Sequence, residues 1–472
     1  MQKKYYSLSE IQKEISERKT NVSEIVNYYI SRINEFHHLN AFLEVFETEA
    51  KQKAIEIQNK INQGAAGKLA GMVIAIKDNI VYKGHHSSAS SKILKGFESL
   101  FSATVVERLL KEDAIIIGRT NCDEFAMGAS NENSAFGPVL NAQDISRVPG
   151  GSSGGSAVAV QADMCLASLG SDTGGSIRQP AAFTGTYGLY PTYGSVSRWG
   201  LIAFASSFDQ IGPFTSSVSD MALIMNVIAG IDEHDASMEQ RATTKIELGT
   251  INKPLKIAVI KDCIEHKGLD PFIKQATLNY LEDLKKLGHE VEYIDFPYLD
   301  QMVPCYQILT TAEASSNLSR FSGLTFGHRS ETATDLESTF KNSRTEGFGK
   351  EVKRRIMLGT FVLTSDFYDA YYTKAQKVRR IIRDETLKIF ETYEVIVTPT
   401  TSTVAFKIGE KSNDPIAMYL ADLFTVQSNL AGIPAISVPY SAHPENKMPI
   451  GIQLMAKPFN EGLLLNLAQA EL

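Results

Sequence analysis

The sequence predicts an α/β protein: one large domain in which helices cover both faces of a mixed β-sheet. Three observations support this fold class. Short apolar runs, each only long enough for a strand, recur along the 472 residues. Stretches with apolar residues at helical spacing lie between them, an alternation typical of α/β folds. The composition, 43% hydrophobic and 21% charged, is that of an ordinary globular protein.

The chain begins with a helical region, expected over residues 1–65. Ser7 or Ser9 can cap the stretch EIQKEISERK, and Asn21 or Ser23 can cap EIVNYYISRINEF, where apolar residues recur at helical spacing. Two further regions follow: 66–215, which carries the candidate catalytic loops, and 216–472, which holds the rest of the sheet and further helices. No repeat or low-complexity linker separates these regions, so we predict a single domain over 1–472.

Seven short apolar runs have the character of buried strands. In chain order they are Gly71–Ile76, Ala114–Gly118, Lys256–Ile260, Val291–Phe296, Glu394–Thr400, Ala435–Tyr440 and Pro449–Ala456. Amphipathic helices are predicted over Thr277–Gly288 and Tyr368–Phe390. The most polar stretches, 241–254 and 330–350, are expected to be exposed excursions from the fold.

The charge of the chain argues against a protein devoted to nucleic acid. A net charge of −7 and a pI near 5.8 do not suit a phosphate-binding surface that covers the whole molecule. Two local basic runs, Glu351–Met357 and Lys377–Arg383, are interpreted as solvated or salt-bridged faces of helices.

Cysteine spacing and hydropathy limit the function classes further. The four cysteines are too far apart for a CxxC metal site or a compact disulfide framework; they are Cys122, Cys165, Cys263 and Cys305. The N-terminal stretch has no apolar core of a signal peptide, and no run of 18 apolar residues occurs. We therefore expect a protein of the reducing cytoplasm, with no membrane contact and no metal site.

Two glycine-rich loops each present a serine: GGSSGGSAVAV begins at Gly150, and GSDTGGSIRQP begins at Gly170. Such loops can hold phosphate, but neither GxxxxGK[ST] nor GxGxxG after a clean strand is present. Glycines can also simply permit tight turns. A third interpretation is a serine nucleophile, and GGSSG does contain the GxSxG pattern of α/β-hydrolases. The histidines downstream leave that interpretation open, although none lies in a motif-like setting.

A serine nucleophile needs a group that accepts its proton. No histidine lies between Glu132 and Tyr193, but Lys77 ends an apolar run and is followed by DNI. Burial lowers the pKa of a lysine, so a buried Lys77 can be neutral near pH 7 and act as a base. The alternative is an ordinary lysine at a strand end whose amine reaches solvent.

Three stretches together resemble the amidase signature family: IAIKDNI, GGSSGGSAVAV and GSDTGGSIRQPAAFTGTYGLYPTYG, in this order. The resemblance implies that Ser176 is the acyl-forming nucleophile, Ser152 a bridging serine with a cis peptide bond, and Lys77 the base. It also implies an oxyanion hole, which stabilises the tetrahedral intermediate, built from backbone N–H groups. Those groups belong to Thr173, Gly174, Gly175 and Ser176.

Further stretches are similar to the members of that family that hydrolyse glutamine within tRNA-dependent amidotransferases. They include DEFAMGASNENSAFGP, VKRRIMLGTFVL and MYLADLFTVQSNLAGIPAISVP. Free glutamine carries an α-carboxylate and an α-ammonium, so its pocket needs one fixed cation and one fixed anion. The resemblance implies Arg355 and Asp422 for these roles, with Tyr306 nearby. A shift of one residue along the helix would put Arg354 in place of Arg355.

This chain departs from the pattern of those family members at three positions. Tyr190, Ser195 and Trp199 stand where lysine, arginine and tyrosine are usual. None of the three belongs to the implied triad.

The resemblance also implies partners. The expected assembly is a heterotrimer with B and C subunits, in which this chain supplies ammonia for converting Glu-tRNA(Gln) to Gln-tRNA(Gln). We expect no cofactor in this chain, and ATP, Mg²⁺ and most contacts with tRNA in the partner. Whether Asp-tRNA(Asn) is also served stays open, as do the path of the ammonia and the stoichiometry. The alternative function is a stand-alone amidase that hydrolyses another small amide.

Overall fold

The computed structural model describes residues 3–239, 245–411, 418 and 420–470. Within these ranges all named strands belong to one sheet. They are β1 (Phe42–Val45), β2 (Val73–Lys77), β3 (Ile115–Thr120), β4 (Ala167–Asp172), β5 (Tyr187–Tyr190), β6 (Gln210–Thr215), β7 (Lys256–Ile260), β8 (Glu290–Ile294), β9 (Val395–Pro399), β10 (Ala435–Ala442) and β11 (Pro449–Ala456).

The sheet is mixed, with the spatial order β1-β3-β2-β4-β6-β5-β10-β11-β9-β7-β8. Strand β2 pairs in parallel with β3 and β4, and β7 pairs in parallel with β8 and β9. The other neighbours are antiparallel. Strands β1 to β6, from the first half of the chain, thus form one side of the sheet, and β7 to β11 form the other. The two sides meet where β5 pairs with β10.

Helices occupy most of the remaining chain. They are α1 (Leu8–Ser16), α2 (Val22–Glu35), α3 (Glu47–Asn62), α4 (Thr104–Lys111), α5 (Gly154–Gln161), α6 (Arg178–Thr184), α7 (Val218–Ile228), α8 (Lys261–Ile264), α9 (Pro271–Lys286), α10 (Leu299–Asn317), α11 (Leu336–Gly347), α12 (Lys350–Val362), α13 (Lys374–Ile389), α14 (Val426–Ala431) and α15 (Glu461–Ala468). A π-helical segment, Tyr368–Thr373, leads directly into α13. No described helix is long and apolar enough to cross a membrane.

Two hydrophobic cores lie on opposite faces of the sheet around β7 and β9, whereas consecutive residues of β2 and of β3 all belong to the first core. Along β7, Ile257 and Val259 belong to one core, whereas Ala258 and Ile260 belong to the other. Successive side chains of a strand point to opposite faces, so this alternation puts one core on each side. Helices α1 to α5 and α7 contribute to the first core, and α10, α12 and α13 contribute to the second. The predicted α/β fold with both faces covered is confirmed.

The seven predicted strands are present with small shifts at their ends, and the structure adds four more. The prediction of helices throughout residues 1–65 is wrong at β1, which pairs with β3 at the edge of the sheet. It is too short, at four half-buried residues, to show a period. Strands β4, β5 and β6 were not predicted because glycine, serine or proline interrupts each apolar run.

The polar stretch 330–350 is not a simple excursion, because it contains α11. The carboxylate of Asp335 accepts from the N–H of Ser338 at the start of this helix, and Thr339 and Ser343 are buried on its inner side. For 241–254 the prediction of an exposed excursion is confirmed over 245–254, and 241–244 lie outside the described residues.

The N-terminal helices begin at the first candidate cap in each case. Ser7 accepts from the N–H of Glu10, and Asn21 accepts from the N–H of Glu24. Both basic runs lie on helices, as predicted, but they are not wholly solvated. Arg355 of α12 is buried, so one side of this helix places a charged side chain in the interior of the protein.

Candidate active site

The catalytic candidates meet at one edge of the sheet because of the parallel pairing of β2 and β4. Lys77 is the last residue of β2, and Ser176 follows β4 within the loop that leads to α6. Parallel strands end at the same edge, so the two loops lie side by side. Ser152 lies in the loop that precedes α5, which packs against both strands.

Lys77 is fully buried, with 0% exposure, so its amine does not reach solvent. Its Nζ lies 2.7 Å from Ser152 Oγ, 2.9 Å from Ser153 Oγ and 2.9 Å from Ser171 Oγ. Burial lowers the pKa of Lys77 to about 8, and the neighbouring Cys122 and acidic groups limit the fall. About a tenth of Lys77 is therefore neutral at pH 7, and this fraction can act as a base.

The hydrogen bonds around Lys77 leave its lone pair to a serine hydroxyl. A neutral amine has two N–H donors and one lone pair. The hydroxyl of Ser153 donates to the carbonyl of Ser171 at 3.0 Å, so Ser153 accepts from Lys77. The Ser171 carbonyl, 3.3 Å from Nζ, can only accept. The lone pair is then available to the hydroxyl of Ser152 or to that of Ser171, and Ser152 Oγ is the closer of the two, at 2.7 Å against 2.9 Å.

The loop of Ser152 is held by short backbone contacts. The Gly151–Ser152 peptide bond is cis. The carbonyl of Ser152 accepts from the N–H of Asp123 at 3.1 Å, and the N–H of Ser153 donates to the carbonyl of Ser176 at 3.2 Å. A Cβ on Gly151 would collide with the carboxylate of Asp123. The two serine loops are therefore fixed to each other.

Ser176 is the one member of the triad that faces the pocket. Its exposure is 7%, whereas Ser152 and Lys77 are at 0%. This arrangement suits a nucleophile with its proton relay behind it. Within the described ranges the hydroxyls of Ser176 and Ser152 form no hydrogen bond, so the contact that relays the proton between them stays a prediction.

Close neighbours leave no room for a side chain at the two glycines beside Ser176. A Cβ on Gly174 would lie 2.5 Å from Cζ of Tyr306, and one on Gly175 would collide with Thr425. Gly175 also has a φ of +134°, which side chains disfavour. Thr425 Oγ1 donates to the carbonyl of Gly174 at 2.6 Å and orients this peptide.

Of the four N–H groups predicted for the oxyanion hole, one is engaged in this structure. The N–H of Gly175 donates to Asp172 Oδ1 at 2.8 Å. In the part of the chain that is described, the N–H groups of Thr173, Gly174 and Ser176 have no protein acceptor, so they are available to an oxyanion. The oxyanion-hole role stays a prediction for all four.

A buried ion pair that the sequence did not reveal fixes the nucleophile loop. Arg178 and Asp172 flank Ser176 and are both at 0% exposure, with Nη2 and Oδ1 3.0 Å apart. Burial alone would raise the pKa of Asp172, but Arg178 outweighs it and lowers that pKa. Arg178 also lies 5.1 Å from the ring centroid of Tyr190.

The other hydrogen-bond acceptors of Arg178 come from the C-terminal part of the chain. Its Nη1 donates to the carbonyl of Thr425 and to the side chains of Ser428 and Gln453, at 2.7, 2.6 and 2.7 Å. Its Nη2 donates to Asn429 Oδ1 at 2.7 Å. The only signal in the sequence was an Asp–Arg pair in an otherwise uncharged, glycine-rich loop.

The three residues predicted to bind glutamine lie together next to the nucleophile loop. Tyr306 of α10 packs on Gly174, and both Asp422 and Arg355 act on its pKa, which burial raises well above the usual range. Burial raises the pKa of Asp422 to about 8, and the charge of Arg355 opposes this rise. A guanidinium and a carboxyl group thus influence one tyrosine, and a substrate ammonium would favour the ionised form of that carboxyl group.

Between the two candidate arginines, the structure favours Arg355. Its side chain is 6% exposed, and its Nε donates to Glu351 Oε1 at 2.8 Å, which orients the guanidinium. The side chain of Arg354 is 32% exposed and pairs with the other oxygen of Glu351 at 2.7 Å. Arg355 is among the groups that most affect the pKa of Asp422 and that of Tyr306, whereas Arg354 is not.

A second feature that the sequence did not reveal ties the arginine helix to the active-site loops. Glu124 is buried and accepts from the N–H of Gly349, the residue before α12, at 2.9 Å. The hydroxyl of Ser91 donates to the same carboxyl group. Burial raises the pKa of Glu124 to about 7. Since Arg355 lies on α12, Glu124 positions the substrate arginine indirectly.

A cleft of about 370 Å³ contains none of the triad residues. Its lining includes the aromatic side chains of Phe97, Trp199 and Phe326, and two of its charged residues, Arg198 and Asp235, pair with each other at 3.1 Å. This cleft is therefore not the site that the triad defines.

The triad on adjacent loops, together with the whole-chain pattern, defines the class of protein. The chain belongs to the amidase family, whose model matches residues 24–465 and so includes every site residue described above. Among the described residues, no group of three or more His, Cys, Asp or Glu side chains could hold a metal ion.

Comparison with individual proteins is more informative than the match to the family. The chain is 48% identical, over 468 residues and 98% of each sequence, to the A subunit of Glutamyl-tRNA(Gln) amidotransferase from Chlorobium phaeobacteroides. It is 39% identical to the protein of that name from Thermotoga maritima, whose crystal structure superposes with a TM-score of 0.77 over 96% of this chain and 94% of that one. Peptide amidase from Stenotrophomonas maltophilia is 28% identical, with a TM-score of 0.79 over 97% and 94%.

Proposed function

We propose that this chain is the glutaminase component, the A subunit, of a tRNA-dependent amidotransferase. It hydrolyses glutamine and supplies the ammonia that converts Glu-tRNA(Gln) to Gln-tRNA(Gln). One observation carries the proposal: the buried amine of Lys77 contacts Ser152, while Arg355 and Asp422 flank Tyr306 beside the loop of Ser176. The two relatives named above as A subunits of Glutamyl-tRNA(Gln) amidotransferase support the same function.

We propose the following chemical steps. Neutral Lys77 takes a proton from Ser152, which takes one from Ser176, and Ser176 Oγ attacks the side-chain carbonyl carbon of glutamine. The N–H groups of the nucleophile loop stabilise the oxyanion. The proton held by Lys77 returns through Ser152 to the leaving nitrogen, and ammonia departs. Water then attacks the glutamyl ester, which releases glutamate and restores the hydroxyl of Ser176.

The pocket distinguishes glutamine from a simple amide by its two charges. The α-carboxylate binds Arg355, and the α-ammonium binds Asp422. The pKa of Asp422, about 8 in the empty pocket, falls when the ammonium arrives, because an opposite charge favours the ionised carboxylate. The hydroxyl of Tyr306, whose pKa both groups influence, donates to the substrate.

The remaining parts of the reaction belong to partners. We infer a heterotrimer with B and C subunits in the cytoplasm, in which the partner binds ATP and Mg²⁺ and activates the glutamate on the tRNA. The net charge of −7 fits a chain that leaves most tRNA contacts to that partner.

The test separates ammonia production from ammonia use. Ser176→Ala in the purified complex should abolish amidation of Glu-tRNA(Gln) with glutamine and leave amidation with ammonium chloride intact. The matched control is Ser219→Ala, an exposed serine on α7, which should keep both activities. A folded, assembled Ser176→Ala complex that ammonium fails to rescue would contradict the proposal. If the chain forms no complex at all, the stand-alone amidase is the better function.

A further inference from the structure

Six large apolar side chains form an exposed patch at the outer end of α12 and the π-helical segment. We name it the α12 patch; it consists of Met357, Leu358, Phe361, Phe367, Tyr368 and Tyr371. Their exposures lie between 39% and 73%. Single exposed apolar residues are normal on any protein, but a contiguous group of this size marks a surface that interacts with something.

Ring contacts join the members of the patch into one surface. The centroid of Phe361 lies 4.4 Å from that of Phe367 and 5.8 Å from that of Tyr371. Phe367 and Tyr371 are 6.0 Å apart. Met357 and Leu358 lie four and three residues before Phe361, so all three share one side of the helix. The patch therefore bridges the turn between α12 and the π-helical segment.

The packing of this chain does not explain the composition of the π-helical segment. None of the residues Tyr368–Thr373 is buried, although three of the six are tyrosines. π-Helical turns are rare and occur frequently at functional sites. Of its three tyrosines, Tyr372 packs against the second hydrophobic core, whereas Tyr368 and Tyr371 are exposed.

The same helix lines the proposed glutamine pocket on its other side. Arg355 and Val352 are buried, and Gly359 lies so close to the backbone of Thr311 on α10 that a Cβ would collide with it. Tyr306 belongs to α10 as well. Helix α12 is thus a wall with the pocket on one side and the α12 patch on the other.

The size and surroundings of the patch match the centre of a protein interface. With about 200 Å² on each aromatic side chain, the four exposed rings alone present about 300 Å², which reaches the range of the largest patch on a typical monomer. Tyr, Phe and Met are the residue types enriched at interface centres. The rim is polar, with Lys353, Asp366, Asp369, Lys374 and Lys377 around it.

We propose that the α12 patch is the docking surface for the partner subunit that receives the ammonia. This inference rests on the proposed function, because ammonia must reach its acceptor before it escapes to solvent. A partner seated on α12 would lie one helix away from the substrate arginine. A second copy of this chain on the same patch would bring two glutaminase pockets together and give the ammonia no acceptor.

The experiment uses the full chain and the purified B–C pair. Phe361→Lys and Tyr371→Lys each put a charge at the centre of the patch, and Ile55→Lys, on the exposed side of α3, is the matched control. The measurements are the Kd of assembly by sedimentation, the thermal midpoint of the isolated chain, and glutamine-dependent against ammonium-dependent amidation. We expect each patch variant to weaken assembly at least about 30-fold. The control should keep the parent Kd.

Each outcome decides between the two proposals. Patch variants that fold like the parent, bind weakly and recover amidation at high chain concentration support the docking surface. An unchanged Kd in either folded variant overturns it, and Tyr371→Lys serves if Phe361→Lys does not fold. A parent chain that is dimeric alone and becomes monomeric in the patch variants also overturns it, since a second copy is then the occupant. If the parent binds no B–C pair, the proposed function fails instead.

Discussion

The rate of glutamine hydrolysis should follow the ionisation of Lys77. The perturbation is the pH, because the pKa of Lys77 is about 8 and only the neutral amine can accept a proton. This pKa is lowered from that of a free lysine, so the active form is present above pH 8 and is lost as the pH falls. Between pH 6.5 and 8.5 the neutral fraction rises from about 3% to about 76%, and we expect kcat to rise about 25-fold.

The assay is glutamate release by the assembled complex at saturating glutamine. Saturation matters because the pKa of Asp422 is also about 8 in the empty pocket, and its ionisation affects KM rather than kcat once substrate is bound. Asp123 beside the serine loop has a pKa raised by burial to about 6, below most of the window. The slope of log kcat against pH should therefore be close to +1 at the acid end and flatten near pH 8.

Two results would refute the reasoning about the lysine base. One is a kcat that stays constant over the window while product release is shown to be fast. The other is substantial activity in Lys77→Arg, because a guanidinium stays protonated at every pH of the assay. Lys77→Ala should be inactive as well. Its thermal midpoint, compared with that of the parent, shows whether the variant has lost only the base or has also lost its fold.

Three further outcomes are expected. Arg355→Ala should raise the KM for glutamine at least about 100-fold, since it leaves the substrate carboxylate unpaired, while Arg354→Ala should change it less than about threefold; equal effects would reassign the substrate arginine. Glu124→Gln should raise KM and remove any change of KM around pH 7, the pKa of this carboxyl, and a profile identical to the parent's would exclude the positioning role. Gly174→Ala, whose Cβ would lie 2.5 Å from Tyr306, should lower kcat/KM about 100-fold or more without loss of assembly, as steady-state kinetics would show.

The strands that sequence reasoning found and missed differ in where their stabilisation comes from. β7 and β11 are apolar at most of their positions, and both are predicted at their observed ends. β6 contains Gly212 and Pro213, which argue against a central strand. The structure accommodates the proline because β5 pairs with β6 only at Phe214 and Thr215. Such pairing is a property of the assembled sheet, so no local pattern reveals it.

The residues of the candidate site also differ in whether the sequence alone indicates their role. The triad and the glutamine-binding residues could be found because they stand in recognisable stretches of sequence. Asp172, Arg178 and Glu124 stand in the same stretches but act by holding loops in place. Their partners lie up to 275 residues away for Arg178 and 225 for Glu124, so their roles depend on contacts that only the folded chain makes.

The contacts of Arg178 set a time at which the enzyme can become active during its synthesis. Lys77, Ser152, Ser176 and the ion partner Asp172 leave the ribosome early, yet Arg178 lacks four of its five acceptor residues until 425–453 have been made. A buried guanidinium with most of its donors unpaired is strongly disfavoured, so we expect the nucleophile loop to become ordered only then. We therefore expect the growing chain to hydrolyse glutamine only after nearly all of it has been translated.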